Sequence, residues 1–381
     1  MTRFSRSAAV SLCLVISAAT TAAAQAPAPQ TPAPAATSSR LPPLNLNAKA
    51  IPLGGTMKQI SLWRWYVSRF VTAEGRVVDT GNGDISHSEG QGYGMLLAVA
   101  FGDRRSFDRI WNWTRANLMV RDDELIAWRW DPNQRPPVAD VNDASDGDLL
   151  IAWALTEAAE YWNSMPYRFA ARRIAVDIGR KLVIFRPGKS MLLLPAISGF
   201  VQNDGKGFIV NPSYWVFPAL ARLPLVAPEI DWSGLAQGGL DLLDKARFGA
   251  SDLPSDWVSV GNGPAAPAVG FPPTFAYNSI RIPLYMAWAG IGERSQYQPF
   301  VNWAARPGGL QIVDVSTGRG AAAFSESGYR APVALLRCVT SGAPFPTELR
   351  FPQGAENYYP ATLHLLALVA AQMRYPSCLA D

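Results

Sequence analysis

Two short stretches of the sequence place carboxylates at the start of an apolar segment, and these residues are the most able to do chemistry. "SEGQGYGM" (88–95) puts Glu89 shortly before "LLAVAF", and "ASDGDLLIAWAL" (144–155) puts Asp146 and Asp148 before a similar run. Hydrolysis of a glycosidic bond uses one carboxylic acid at the leaving oxygen and a second carboxylate on the other face of the sugar ring. The chain also has 13 tryptophans, whose flat apolar rings suit sugar faces. We therefore expect sugar chemistry at this pair of stretches.

Glu89 is predicted to lie in the first turn of a helix. Ser86 or Ser88 can cap that helix, and the free N–H groups of a first turn favour a negative charge. A structural role for Glu89 as a complement to the helix dipole therefore stays open beside a catalytic one. The three glycines of this stretch each cost a helix about 1 kcal/mol relative to alanine. We expect them to clear space in which a ligand approaches the backbone beside Glu89.

The second stretch contains one carboxylate with a predicted structural role and two without. Ser145 followed by Asp148 fits a capping box, with aspartate in the place of the more usual glutamate. Asp143 and Asp146 have no such role and are expected to project from the helix entrance. A calcium-binding loop is excluded, because an alanine and a tryptophan occupy positions where ligands are required. The helix N-terminus alone lowers the pKa of Glu89, which does not suit a proton donor. Burial of Glu89 and a nearby negative charge on Asp146 must outweigh that effect and raise the pKa.

Aromatic residues near these stretches divide into two groups. Trp153 and Trp288 lie inside apolar helical segments and are expected in the core. Trp128 and Trp130 of "AWRW" and Trp257 of "SDW" lie in loop-like segments and are better placed to contact a sugar. The segment 124–130 fits either a short pair of strands or a loop.

The rest of the chain reads as mostly helical, with long loops rich in glycine and proline. No repeat of fixed period is visible. Apolar residues recur at helical spacing in segments 57–71, 94–103, 106–118, 146–162, 168–185, 212–223, 235–248, 281–291, 329–339 and 360–374. The sequence therefore predicts an all-α fold.

The N-terminus is typical of an exported protein. Two arginines, an apolar run from about Ala8 to Ala19 and the small residues before Gln25 predict a signal peptide over 1–24. Residues 25–48 are rich in proline and alanine and are predicted to be a poorly ordered leader. We assign 49–381 to one catalytic domain and expect the protein to be secreted or periplasmic.

Composition and charge exclude several classes of protein. The chain has a net charge of +4, which becomes 32 − 30 = +2 when the two arginines of the signal peptide are removed. That balance gives no support to nucleic-acid binding, and no later segment is apolar enough to span a membrane. With only two histidines, a Cys/His metal site is not expected. Cys338 and Cys378 can form a disulfide or remain as two thiols.

Taken in order, "SEGQGYGM", "AWRW", "ASDGDLLIAWAL", "NPSYW", "LPSDW" and "AYNSIRIPLY" resemble glycoside hydrolase family 8, over about residues 50–375. The likeness is strongest to its bacterial cellulases, the exported endoglucanases that accompany cellulose synthesis. It implies an (α/α)6 barrel of six inner and six outer helices with an open cleft, and endo-hydrolysis of β-1,4-glucan with inversion and without a cofactor. Glu89 falls on the family's proton donor and Asp146 on its second catalytic carboxylate. The candidate substrate-binding residues are Tyr93, Trp128, Trp130, Tyr214, Trp257, Tyr277, Asn278 and Arg281.

The sequence departs from the family pattern at one position. Many members carry the water-activating aspartate in a "Y-D-x-x-R" segment, which reads "YNSIR" here and places Asn278 at that position. An amide is not a useful base at neutral pH. Asn278 can still orient the water, and Arg281 can hold a sugar hydroxyl or a carboxylate.

Three readings remain open beside cellulose hydrolysis. The same fold could act on xylan, chitosan or mixed-linkage glucan. The protein could also be a periplasmic glucan-binding protein weakened in catalysis, as Asn278 suggests, although the presence of Glu89 and Asp146 opposes this. Finally, the protein could be a purely structural partner in export, which only the proline-rich leader supports. The resemblance also implies a functional link to a cellulose synthase complex.

Overall fold

The computed structural model of the protein describes residues 50–202 and 207–380. The predicted signal peptide (1–24) and leader (25–48) lie outside the described residues.

Helices dominate the described residues, and the all-α prediction is confirmed. The helices are α1 (Ile60–Phe70), α2 (Ser88–Ala100), α3 (Arg104–Asn117), α4 (Ser145–Tyr161), α5 (Met165–Lys181), α6 (Phe217–Leu220), α7 (Trp232–Lys245), α8 (Arg281–Ala289), α9 (Arg294–Ala304), α10 (Arg330–Ser341) and α11 (Tyr358–Arg374).

Short strands occupy the loops between the helices and form four small antiparallel sheets. They are β1 (Ser86–His87), β2 (Arg129–Trp130), β3 (Val183–Ile184), β4 (Leu192–Leu193), β5 (Val201–Gln202), β6 (Gly207–Val210), β7 (Val258–Val260), β8 (Ala266–Pro267), β9 (Thr274–Phe275), β10 (Gln311–Asp314) and β11 (Gly320–Ala323). The segment 124–130 thus ends in strand β2, which pairs with β1 directly before α2.

The contacts between helices close into a ring. Helix α2 packs on α4, α4 on α6, α6 on α8, α8 on α11, and α11 returns to α2. Helices α2, α4 and α11 are buried almost all round, as expected for helices that are apolar on every side. Helices α1, α3, α5 and α7 have one buried face and pack outside them. The first turns of α2, α4 and α8 meet at one end of this ring.

Two helix predictions were wrong. The segment 212–223 is interrupted by prolines and forms two 3₁₀ turns on either side of the four-residue α6. Helix α9 was not predicted, because its sequence is polar and contains Pro299.

Cys338 of α10 and Cys378, which follows α11, form a disulfide that ties the last two helices together. The alternative of two free thiols is not what the structure shows. No helix of the described part is long and apolar enough to cross a membrane.

Candidate active site

An open cavity of about 670 Å³ lies where the first turns of α2 and α4 meet the segment before α8. The residues that line it are Asp79, Gly81, Asn82, Ile85, His87, Ser88, Glu89, Trp128, Ala144, Asp146, Tyr214, Tyr277, Asn278, Glu326, Tyr329, Asn357, Tyr359 and Pro360. Both predicted catalytic carboxylates are therefore on its wall.

Glu89 reaches the cavity from the first turn of α2. The residue that caps this helix is His87, whose Nδ1 accepts a hydrogen bond from the Gly90 N–H at 3.0 Å. The prediction that Ser86 or Ser88 is the cap was wrong, because the Ser86 hydroxyl instead donates to the Val77 carbonyl. The Glu89 side chain is 16% exposed, so it is accessible from the cavity but largely removed from water.

Asp146 reaches the cavity from the first turn of α4 and is only 2% exposed. The capping box predicted for this helix is absent. No side chain caps α4, and Asp148 accepts a hydrogen bond from the Ile126 N–H at 2.8 Å. Asp148 therefore holds the segment before β2 against α4, while Asp146 is left to face Glu89.

Arg281, the first residue of α8, connects the two carboxylates. Its Nη1 donates to Glu89 Oε2 and, at 2.8 Å, to Asp146 Oδ2. Its Nη2 donates to Ser213 Oγ and to Asn278 Oδ1, both at 2.8 Å. Arg281 is 1% exposed, so its role in this structure is to hold carboxylates, one of the two alternatives drawn from the sequence.

The carboxyl groups of Glu89 and Asp146 lie near each other, since one nitrogen of Arg281 donates to an oxygen of each. The charge of Asp146 therefore acts directly on Glu89. Burial raises the pKa of Glu89, Arg281 opposes this, and the charge of Asp146 adds to it, so that the pKa is about 7. A carboxylic acid with this pKa can donate a proton at neutral pH.

The same closeness limits what Asp146 can do. Inverting glycosidases keep their two carboxyl groups about 6.5–9.5 Å apart so that a water fits between them. Two hydrogen bonds of ordinary length from one nitrogen keep their acceptor oxygens within about 6 Å of each other. Asp146 therefore has an oxygen closer to Glu89 than that spacing, and its charge raises the pKa of Glu89.

Asn278 lies at the cavity wall with its amide held at both ends. Besides the bond from Arg281 to Oδ1, its Nδ2 donates to Asp256 Oδ2 at 3.4 Å. Asp256 also accepts from the backbone N–H groups of Ala276 and Ser279 at 3.0 and 2.9 Å. A single buried aspartate thus fixes the turn that leads into α8.

The glycines of "SEGQGYGM" serve helix packing, and the prediction that they admit a ligand was wrong. A Cβ at Gly92 would lie 2.6 Å from Leu150 Cβ of α4, and one at Gly94 would lie 2.8 Å from Val77 Cγ2. Gly147 of α4 is equally constrained, since its Cβ would lie 2.0 Å from Ser88 Oγ and 2.9 Å from the Glu89 nitrogen. The helix starts that carry the two carboxylates approach closely because these positions have no side chain.

Four of the eight candidate substrate-binding residues line the cavity: Trp128, Tyr214, Tyr277 and Asn278. The other four, Tyr93, Trp130, Trp257 and Arg281, do not. Arg281 lies directly behind the carboxylates, as described above.

The remaining three have other partners. Tyr93 has no exposed surface, and its hydroxyl is hydrogen-bonded to that of Tyr285. Trp130 packs edge-on against Trp113 and under the Arg76 guanidinium. Trp257 is stacked with both Phe200 and Phe271, which leaves little of the indole faces for a sugar. We therefore do not include these three among the residues that contact the substrate.

Sequence reasoning missed a further group of cavity residues: Asp79, His87, Glu326, Tyr329, Asn357 and Tyr359. They come from three segments that are widely separated in the chain: 79–87, which ends in strand β1, 326–329 before α10, and 357–359 at the start of α11. The only local signal was that "NYYP" (357–360) combines aromatic and polar residues directly before an apolar helix.

The chain matches the model of glycosyl hydrolases family 8 over residues 54–373 and belongs to this family. A probable endoglucanase of Novacetimonas hansenii is 37% identical over 316 residues, which cover 81% of this chain and 89% of that protein. Endoglucanase Cel10 of Klebsiella pneumoniae is 37% identical, with a TM-score of 0.75, over 82% of this chain and 99% of that structure. The endo-β-1,4-glucanase CMCax of Acetobacter xylinum is 34% identical, with a TM-score of 0.74, over 84% of this chain and 99% of that structure.

These comparisons confirm the family resemblance and the (α/α)6 barrel predicted from it. The closed ring of helix contacts described above agrees with that barrel. Among the described residues, no cluster of His, Cys, Asp and Glu could hold a metal ion.

Proposed function

We propose that the protein hydrolyses internal β-1,4-glucosidic bonds of cellulose or a related β-glucan, with Glu89 as proton donor and Asp146 as the second catalytic carboxylate. The observation that carries the proposal is the position of Glu89: a largely buried carboxyl group at a cavity wall, with a pKa raised to about 7 beside a second carboxylate. Membership of the family and the endoglucanase names of the relatives support it.

In this proposal a glucan chain lies along the cavity with its bridging oxygen at Glu89. The proton of Glu89 passes to that oxygen as the bond to the anomeric carbon breaks. The Glu89 anion that remains is stabilised by Arg281, which already donates to it in the resting structure. Trp128, Tyr214 and Tyr277 supply aromatic surface for the sugar rings.

We place the attacking water at Asn278, on the face of the anomeric carbon away from the leaving oxygen. Its Oδ1 accepts one hydrogen bond from Arg281, and a carbonyl oxygen has a second lone pair with which to accept one from water. Attack from that side inverts the configuration of the anomeric carbon. As the new bond to the anomeric carbon forms, this water loses its proton to the solvent of the open cavity, because the amide of Asn278 cannot accept it.

The substitution Glu89→Gln tests the role of the acid. It keeps the shape of the side chain but removes the proton, and general acid catalysis contributes about 10²–10⁴-fold to rate. We expect kcat on carboxymethyl cellulose to fall at least 100-fold by reducing-sugar assay, while binding of cello-oligosaccharides is retained. Glu348→Gln is the control, since Glu348 is exposed and pairs only with the surface residue Arg330. A Glu89→Gln enzyme that keeps a tenth of the wild-type rate excludes the role.

The xylan and chitosan readings are less well supported. A reducing-end-xylose releasing exo-oligoxylanase of known structure is only 18% identical to this chain, and a likeness at that level supports the fold and not the substrate. Hydrolysis of carboxymethyl cellulose, xylan and chitosan at equal mass separates these substrates, and we expect the first to be cleaved fastest. Loss of catalysis, the remaining alternative, would show as no reducing sugar from any of them.

We also infer that the protein is exported and that it supports cellulose synthesis. The arginine-led apolar N-terminus and the disulfide between Cys338 and Cys378 suit an oxidising compartment. Mass spectrometry of the protein from the culture medium or periplasm should find Gln25 at its N-terminus. Deletion of the gene in its host should reduce the yield of cellulose. Complementation with the wild-type gene should recover that yield, and complementation with the Glu89→Gln gene should not.

A further inference from the structure

Both ring nitrogens of His87 are engaged at the wall of the cavity. Nδ1 accepts the hydrogen bond from the Gly90 N–H at 3.0 Å, and Nε2 lies 3.4 Å from Asp79 Oδ2. A nitrogen that accepts an N–H carries no proton, so the proton of the neutral imidazole is on Nε2 and faces Asp79. The geometry therefore specifies one tautomer. Histidine is also an unusual cap for a helix, a place normally taken by Ser, Thr, Asp or Asn.

The cap holds the turn that carries Glu89. Glu89 lies between His87 and Gly90 in the chain, so the bond from Gly90 to His87 spans it and fixes its backbone. The ring of Tyr358 packs edge-on against the imidazole of His87, with 5.8 Å between the ring centroids. A Cβ at Gly90 would meet both, at 3.0 Å from Tyr358 Oη and 3.3 Å from His87 Cε1, so this turn has little freedom to move.

A second proton on His87 would break the cap, because it can bind only at Nδ1. Three negatively charged groups near the ring favour such a proton: Asp79 from the loop before β1, Glu89 from α2 and Asp146 from α4. Arg129 is paired with His87 across β1 and β2, and its positive charge acts in the other direction. Burial lowers the pKa of His87, but the hydrogen bond to Asp79 and the nearby negative charges outweigh it and leave the pKa above its ordinary value. A charged imidazolium would in turn lower the pKa of Glu89.

We propose that His87 is a positioning residue for the proton donor: its neutral Nε2–H tautomer, fixed by Asp79, holds the first turn of α2, and protonation of His87 sets the acid limit of activity. The proposal rests on Glu89 being the acid. Below this limit the first turn of α2 loses its cap, so Glu89 is no longer held in the position from which it donates its proton.

Three variants separate positioning from simple folding. His87→Asn keeps an oxygen that can accept from the Gly90 N–H but does not titrate, whereas His87→Ala removes the cap. We expect His87→Ala to lower kcat at least tenfold with less than a threefold change in KM, and His87→Asn to recover most of that loss. The fall of kcat at low pH, which is the acid limb of its pH profile, should vanish in His87→Asn. In Asp79→Asn it should move to lower pH, because the carboxylate no longer favours the imidazolium.

NMR provides a test that does not depend on catalysis. The chain has only two histidines, so His87 and His364 can be resolved by long-range ¹H–¹⁵N correlation in the full-length protein. We expect His87 to show the Nε2–H tautomer at neutral pH and to titrate at the acid limb of kcat. A proton on Nδ1, or an acid limb that is unchanged in His87→Asn, overturns the proposal. If Glu89→Gln remains active, the proposed function fails, yet the tautomer and the titration of His87 are still measured by the same spectra.

Discussion

The substitution Gly147→Ala tests whether the approach of α2 and α4 sets the chemistry of the carboxylate pair. A Cβ at this position would lie 2.6 Å from Ser88 Cβ as well as 2.0 Å from its hydroxyl oxygen. Carbon atoms in contact prefer about 3.5–4.0 Å, so the two helix starts must separate by roughly 1 Å. Overpacking of this kind costs about 1–3 kcal/mol, and the gain from alanine in a helix offsets at most about 1 kcal/mol.

Two readouts follow from that displacement. A net loss of about 1–2 kcal/mol should lower Tm by about 1–3 °C, because the unfolding entropy grows with chain length. The charge of Asp146 helps to raise the pKa of Glu89, so a larger separation should lower it. Because Glu89 acts as an acid, kcat/KM falls as pH rises through its pKa, which is about 7 in the wild type. In Gly147→Ala this alkaline limb should therefore move to lower pH.

Gly92→Ala is the matched control. Its Cβ would also clash with the other helix, at 2.6 Å from Leu150 Cβ and 3.3 Å from the Ile151 nitrogen, but these atoms carry no catalytic group. We expect a similar fall in Tm by differential scanning calorimetry with the alkaline limb unchanged. The reasoning is refuted if Gly147→Ala keeps the wild-type limb, or if Gly92→Ala shifts it by as much.

Three further predictions concern the water, the product and the disulfide. Asn278→Asp keeps the bond from Arg281, and the new carboxylate would lie next to Asp256, which favours a high pKa suited to a base. We therefore expect kcat to rise roughly tenfold or more. An unchanged or lower kcat would mean that another group already takes the proton of the water. ¹H NMR of the first product from a β-glucan should show the α-anomer, and a β-anomer would exclude inversion. Replacing Cys338 and Cys378 by serine opens a loop with a sequence separation of 40 and should lower the free energy of unfolding by about 2–4 kcal/mol. Urea unfolding measures this, with the oxidised wild type as reference. Equal stability would show that the disulfide adds nothing to the packing of α10 and α11.

The helices were largely predictable because their apolar spacing is a local property. Segments 146–162 and 360–374 agree with α4 and α11 to within two residues. Where prolines interrupt the pattern, as at Pro218, or where a helix is polar, as in α9, the local signal fails. Both segments contain a proline and both are packed into the protein: all four residues of α6 are buried, as are Tyr297, Phe300 and Trp303 of α9.

The catalytic pair could be proposed from residue types, but its surroundings could not. The sequence indicates that Glu89 and Asp146 begin helices, and nothing in it shows that Arg281 will bind both. The glycines gave the opposite lesson: their spacing was visible, but which atoms fill the space beside them depends on α4 and not on α2. Asp79 and Tyr359 lie far from Glu89 in the chain, and only the closed ring of helices brings them to one cavity.

The contact of one guanidinium with two carboxyl groups has a further consequence for the electrostatics of binding. With a single proton on the pair, the charges of Arg281, Glu89 and Asp146 add up to zero. A neutral polysaccharide then displaces no counterions when it enters, so its affinity should hardly respond to ionic strength. Glutamine at position 89 preserves this electroneutrality, which is why that variant isolates the loss of the proton from any change in the field that the substrate meets.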